Sequence, residues 1–262
     1  MTDANHEDTG NDLIHKVMKE FGLKYPESSV SGEISPDDIM HDTRHSHPYF
    51  RCGASALRVI KAGMSLADNP SAENILDFGC GHGRVMRWLR AEFPDAKITG
   101  TDVTEGGTLY CSEKFGSSAV TSGTDFLNLP SFHGQNLIWS GSVFTHLTER
   151  DASLLFDRFI DWLEDYGVAI FSTHGRLAAE HFTSGVMDYL PHQSRLKPMR
   201  DYFTRGYGFG GYEGSADYGV SFVQPGWYLE RVLARRDLSL VCYSERAWDN
   251  HHDIVAVQKL PV

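Results

Sequence analysis

The chain is predicted to be an α/β protein, doubly wound, with a mostly parallel sheet covered by helices on both faces. Three observations carry that expectation. Short apolar runs alternate with segments whose apolar residues recur at helical spacing, the pattern of repeated strand, helix, strand units. A glycine-dense turn joins one such run to the next helix, at Ile75-Leu76-Asp77-Phe78-Gly79-Cys80-Gly81-His82-Gly83-Arg84. Finally, 262 residues at 41% hydrophobic can bury one large core with room for an insertion.

Taken in order, residues 1–12 carry Asp3, Glu7, Asp8 and Asp12 among few apolar groups, so a frayed tail is expected. Leu13, Ile14, Val17, Met18 and Phe21 then follow helical spacing up to Gly22 and Pro26. Ser35-Pro36-Asp37-Asp38 reads as a turn and cap. His41, His45 and His47 follow beside Arg44, without the rigid framework of a metal site. After Tyr49 and Phe50 comes a helix over 54–62. Strands are expected near 74–78, 97–102, 118–122, 136–140 and 167–173, with helices between. The helix over 149–165 sets Leu154, Leu155, Phe159 and Leu163 on one side and Glu149, Asp157, Asp161 and Glu164 elsewhere. Residues 174–226 break the pattern with interleaved glycine and tyrosine, and no long periodic segment is expected through most of them. Order returns with a helix over 227–235 and strands over 238–244 and 254–258.

The glycine turn narrows the chemistry. Glycines at a strand-to-helix junction let the backbone adopt positive φ and approach a ligand, while the first free N–H groups of the helix face negative charge. A dinucleotide fingerprint needs a third glycine where this chain has Arg84, and no G-x-x-x-x-G-K-[ST] is present, so pyrophosphate and triphosphate sites are disfavoured. Nineteen residues beyond Gly83, Asp102 ends the second strand with Val103 beside it, placed to accept the hydroxyls of a ribose. Asp125-Phe126 after the third strand suits an adenine amino group and its π-face. The fourth strand runs through Ser140 into Gly141-Ser142-Val143-Phe144-Thr145-His146-Leu147.

With those residues in this order, the chain from about residue 48 to its end resembles the class I S-adenosylmethionine-dependent methyltransferases. The segments 77–84 and 142–147 are similar to a bacterial subgroup with small-molecule or glycan-associated members. The resemblance implies a Rossmann-like, seven-stranded sheet whose last strand is antiparallel. It implies a methyltransferase domain over 48–262, interrupted by the Gly/Tyr-rich insertion at about 174–226 and preceded by a tail and cap or lid over 1–47. It also implies S-adenosyl-L-methionine as cofactor, held by Asp77, Gly79, Cys80, Gly81, Arg84, Asp102, Val103, Asp125, Phe126 and Ser140.

Methyl transfer from a sulfonium is an in-line displacement, which asks the protein chiefly for alignment. A hydroxyl or amine acceptor also needs a base, and His146, just beyond the fourth strand, is the first choice; the alternative is a histidine that only caps or packs. Arg84 either binds a methionine carboxylate bidentately or makes a surface ion pair. His174, Tyr202, Tyr207, Tyr212 and His251 are the candidate acceptor-binding residues, the insertion being the natural acceptor pocket or lid; the alternative is a flap that merely packs. The run His251-His252-Asp253 invites a metal, yet adjacent residues of an extended segment face opposite ways, so none is expected there. Cys52, Cys80, Cys111 and Cys242 are scattered and favour neither disulfide nor zinc.

The net charge of −11 disfavours nucleic acid as a partner. No run approaches a membrane span and the N-terminus is not a signal peptide, so a cytoplasmic location is expected, with a small-molecule acceptor as partner and a homo-oligomer left open. The reading is methyl transfer to a small-molecule or sugar-like acceptor, oxygen favoured. The alternative is a cofactor-binding regulatory module without catalysis, and a nicotinamide-dependent oxidoreductase is disfavoured by Arg84.

Overall fold

A computed structural model describes residues 9–26, 29–69 and 72–262. Nine strands are present in it: β1 (Asn74–Phe78), β2 (Lys97–Asp102), β3 (Ser118–Thr121), β4 (Gln135–Ser140), β5 (Leu163–Thr173), β6 (Tyr207–Gly211), β7 (Gly219–Val223), β8 (Leu238–Trp248) and β9 (His252–Lys259). Seven of them form one sheet in the order β3-β2-β1-β4-β5-β9-β8, while β6 and β7 pair alone as an antiparallel hairpin. Pairing is parallel from β3 across to β5, and β9 runs antiparallel to both its neighbours, β5 and β8. The strand order reverses between β1 and β4, and the crevice at such a point, beyond the carboxyl ends of the strands, is where α/β sheets hold ligands.

The two-residue period of a strand explains the layering. Ile75, Leu137, Val168 and Ile170 enter one apolar cluster, and their chain neighbours Leu76, Ile138, Ala169 and Phe171 enter another on the opposite face. Helices α1 (Gly10–Phe21), α2 (Ser46–Leu66), α3 (Met86–Glu92) and α4 (Glu105–Phe115) bury residues in the first cluster. Helices α5 (Glu149–Trp162) and, from the C-terminal part, α8 (Pro225–Leu233) bury theirs in the second. Among the described residues no helix is long and apolar enough to cross a membrane.

Three expectations need correcting. Of the tail expected over 1–12, residues 1–8 lie outside the described residues, but Thr9 caps α1: its hydroxyl accepts from Asp12 N–H and the Asp12 carboxylate accepts from Thr9 N–H. The helix expected to 165 stops at Trp162, because Leu163 already pairs with Gln135 as β5 begins. The insertion is not irregular. It holds α6 (Arg176–Ser184), α7 (Leu196–Arg205) and the β6–β7 hairpin around a small core of its own, including Phe182, Leu190, Met199, Tyr202 and Phe222. Its glycines misled because several serve regular structure: Gly185 and Gly206 end α6 and α7 at φ +79 each.

Candidate active site

The β1–α3 turn is held open by its glycines. Gly79, Gly81 and Gly83 have φ of +82, +50 and +81. A Cβ on Gly79 would stand 2.4 Å from Val143 Cγ2, and one on Gly83 would stand 2.3 Å from the Phe115 ring. The turn is pinned to the end of β2 by Gly79 N–H and Cys80 N–H, which both donate to Thr101 O (2.7 and 3.0 Å). Cys80 packs its thiol onto Gly81 O (3.6 Å), and neighbouring Cys111 together with burial drives the thiol pKa upward, so Cys80 stays protonated.

Two acids meet at this turn. Asp77 is 1% exposed, and its Oδ2 has no hydrogen-bond partner among the described residues. Burial, with the nearby Asp102 charge adding to it, pushes its pKa up to about 8. Asp102 is engaged: Oδ2 accepts from Gly81 N–H at 2.9 Å, and Oδ1 accepts from the amide and the hydroxyl of Thr104 at 2.9 and 2.6 Å.

Beyond them opens a cavity of about 860 Å³. Asp77, Gly79, Cys80, Gly81 and Arg84 line one wall, Asp102 with Val103 continues it, and Asp125 with Phe126 closes that end. Asp125 is oriented by Leu127 N–H (3.1 Å) and the Asn128 side-chain amide (2.7 Å); those hydrogen bonds hold its pKa below the usual carboxylate value. Arg84 has no ion pair among the described residues. Its guanidinium lies 6.0 Å from the Tyr49 and Trp248 ring centroids, so a cation stands in the wall without a balancing carboxylate.

Ser140 must be corrected. It is fully buried, its Oγ lacks a partner among the described residues, and it does not line the cavity. Strand alternation turns it away from Trp139, which does line the cavity, as do Ser142 and Val143 just after β4. Ser142 holds φ +62, uncommon for a residue with a side chain, and its N–H donates to Ser172 Oγ at 2.7 Å.

His146 also lines the cavity, in a single 3-10 turn, Phe144–His146. Its Nδ1 is 2.8 Å from Gly219 O, an acceptor only, so Nδ1 carries the proton and Nε2 the lone pair. Burial lowers its pKa, which keeps the ring neutral. The Tyr212 hydroxyl lies 3.3 Å from the same Nδ1, and the Tyr218 ring centroid 5.3 Å from the imidazole.

Among the acceptor candidates, Tyr212 alone reaches His146. Tyr202 and Tyr207 are corrections, at 4% and 2% exposed and outside the cavity lining. Tyr202 belongs to the insertion's own core, and Tyr207 packs on Trp227 while its hydroxyl donates to Leu147 O at 2.9 Å. The insertion instead presents Ser215, Asp217 and Tyr218 from the hairpin tip. His174 and His251 do not line the cavity either. His174 is 2% exposed at the end of β5, its pKa lowered to about 3 by burial and by His251. Its ring lies 5.2 Å from His251 and 5.0 Å from His252, centroid to centroid. The rule of opposite faces failed for His251 and His252 because His251 sits in the β8–β9 turn and β9 begins only at His252.

Four contributors had no readable signal in the sequence. Trp248, at the end of β8, lines the cavity and stacks edge-on with Trp139 at 5.3 Å. Asp38 and Met40 reach the cavity from the N-terminal segment, where Asp38 accepts from the Tyr49 hydroxyl at 2.6 Å. Arg87, 1% exposed, ties that segment down by donating to Ser31 O and Glu33 O at 2.7 and 2.9 Å. The histidines over 41–47 go to separate partners: His41 to Ser46, His45 to Asp42 and His47 to Glu20.

Comparison with known proteins places this geometry. Residues 75–167 match the model of a methyltransferase domain family. The chain is 29% identical over 111 residues to the malonyl-[acyl-carrier protein] O-methyltransferase of Acetivibrio thermocellus, a match covering 42% of this chain and only 38% of that relative. Among solved structures, the plantazolicin methyltransferase BpumL, in complex with a monoazolic desmethylPZN analog and SAH, superposes with a TM-score of 0.57 at 15% identity, over 96% of each chain. The Burkholderia thailandensis 1,6-didemethyltoxoflavin-N1-methyltransferase gives 0.55 at 13% identity over 84% of each. An S-adenosylmethionine-dependent methyltransferase from Clostridium acetobutylicum gives 0.53 at 13% identity, over 79% of this chain and 91% of that one. At those identities the solved structures speak to the fold. With the match over residues 75–167, the chain shares the fold of these methyltransferases around a segment similar to a methyltransferase domain.

Proposed function

We infer that this chain is an S-adenosylmethionine-dependent methyltransferase that transfers a methyl group to the oxygen of a small acceptor held between His146, the hairpin tip and Trp248. The carrying observation is one cavity with two chemically different walls. One has glycines, acids and an arginine without an ion pair among the described residues; the other has a neutral histidine among aromatic rings.

The first wall fits the methyl donor. Asp77 supplies a buried carboxylate oxygen, unpartnered among the described residues, for an ammonium, and Arg84 a guanidinium for a carboxylate. Asp102 spends three lone pairs on Gly81 and Thr104 and keeps capacity for a ribose hydroxyl, with Val103 against the sugar. Asp125 and Phe126 offer an acceptor and a ring to adenine. When bound, S-adenosyl-L-methionine supplies an electrophilic methyl on a sulfonium.

The remaining work belongs to the chain. Gly219 O fixes the His146 tautomer so that Nε2 can take a proton from a hydroxyl acceptor. Tyr218 and Trp248 exclude water and orient the acceptor, and Tyr212 supports the imidazole through Nδ1. The N-terminal segment, tied down through Arg87 and carrying Asp38 and Met40, caps the cavity mouth. The likeness to an O-methyltransferase of a malonyl group over 111 residues supports an oxygen acceptor, carboxylate or hydroxyl.

The test is methyl transfer from labelled S-adenosylmethionine to a panel of small hydroxyl, carboxyl and amine compounds, alongside calorimetry with S-adenosylhomocysteine. Turnover on an oxygen acceptor is expected. Tight cofactor binding with no turnover on any compound would return the chain to the regulatory-module reading.

A further inference from the structure

We propose that His174, His251 and His252 form a three-imidazole site for a divalent transition metal of the zinc, cobalt or nickel type. The three come from two places in the fold, the end of β5 and the β8–β9 turn. One ligand nitrogen from each lies within 4.8 Å of the other two. A tetrahedral ion at about 2.1 Å from each nitrogen sets them about 3.4 Å apart, a closure within reach of small side-chain rotations.

Two further observations separate this cluster from an incidental stack of rings. His174 Nδ1 is 3.2 Å from Ser221 O, which accepts its proton and leaves the lone pair on Nε2. That is the outer arrangement by which a metal-bound histidine is oriented. His252 Nδ1 is buried and has no hydrogen-bond partner among the described residues, a cost that a ligand at that nitrogen would remove.

The donor set selects the ion. Imidazole nitrogens suit zinc, cobalt, nickel and copper, whereas magnesium and calcium require oxygen. The adjacent carboxylate is committed elsewhere: Asp253 accepts from the Tyr243 hydroxyl at 2.7 Å and from Arg246 N–H at 2.9 Å. The site stands one side chain behind the cavity, because Trp248 packs on His252 with ring centroids 4.8 Å apart and also lines the cavity. A bound ion would therefore fix the turn that positions Trp248, a structural role separate from methyl transfer.

The experiment uses the untagged full chain, stripped with a chelator and titrated with Co²⁺, reading the visible ligand-field bands, with Zn²⁺ and Mg²⁺ as competitors. One equivalent of Co²⁺ is expected, displaced by Zn²⁺ and unaffected by Mg²⁺. His251→Gln, at a partly exposed position, and His252→Gln should each weaken uptake at least tenfold, whereas His45→Gln should leave it unchanged. Binding of S-adenosylhomocysteine, retained in the variants, checks that they are folded. Absence of saturable uptake by the intact chain, or uptake that survives His251→Gln undiminished, overturns the site.

Discussion

The two walls of the cavity are made by opposite means. The glycine wall comes from three neighbouring strand ends, β1, β2 and β3, and its turn is set by backbone dihedrals: three consecutive-but-one glycines at positive φ, pinned to Thr101. The histidine wall is assembled from side chains that are distant in the chain, with His146 after β4, Tyr218 at the hairpin tip and Trp248 at the end of β8. Local backbone demands leave a mark in the sequence, because only certain residues meet them. Convergence of ordinary aromatic and polar side chains leaves none.

That contrast is open to direct test, beginning with the largest effect. His146→Ala is expected to lower kcat by about 10²–10⁴ while S-adenosylhomocysteine affinity holds. A comparable loss of cofactor affinity would mean the walls are not separate. Gly79→Ala should act on the other wall. The new Cβ meets Val143 at 2.4 Å in a residue at φ +82, so about 2–4 kcal/mol of stability should be lost in chemical denaturation, with cofactor binding impaired as well. An unchanged melt would show that the turn relaxes freely.

Asp102→Ala is expected to weaken S-adenosylhomocysteine by about 1.5–3 kcal/mol, roughly ten- to hundredfold, by calorimetry. Affinity equal to the parent would remove Asp102 from the site. The smallest effect is in pH. Asp77, with a pKa raised to about 8, is protonated at neutral pH in the free protein and must ionise to meet a ligand ammonium. Affinity should therefore fall by up to about tenfold for each pH unit below 8, and level off above it. In the free protein the sign is opposite for stability: a carboxyl whose folded pKa exceeds its unfolded value of 3.8 costs progressively more as pH rises from there toward 8. A flat affinity profile between pH 6 and 8, set as about the working range of the assay, would sever Asp77 from the ammonium.

Legibility followed the same division. Strand positions and the glycine turn could be read because periodicity and special dihedrals constrain residue type locally, and the same strand ends bring Asp102 and Asp125-Phe126 to one cavity. Ser140 was misjudged because a one-residue step along a strand inverts the face, and the motif gave no register. Tyr202 and Tyr207 were misjudged because the insertion's glycines looked like loop, when they end helices or let the β6–β7 strands lie close; Tyr202 is a core residue of that small folded unit and Tyr207 one of the main core beneath it. The histidine cluster was hidden by an assumed extended conformation at His251, which the turn Trp248-Asp249-Asn250-His251 breaks with φ of +51 and +55 at its centre.

The partner chosen for His146 Nδ1 has an evolutionary corollary. Gly219 O is main chain, and glycine is needed there only because a Cβ would fall 2.0 Å from Gly210 O across the hairpin. Asp217, which lines the cavity at the tip, can therefore be exchanged without removing the carbonyl that sets which nitrogen of the imidazole is protonated. Under the proposed function, substitutions at the tip would change what it recognises while leaving the base in the same tautomer.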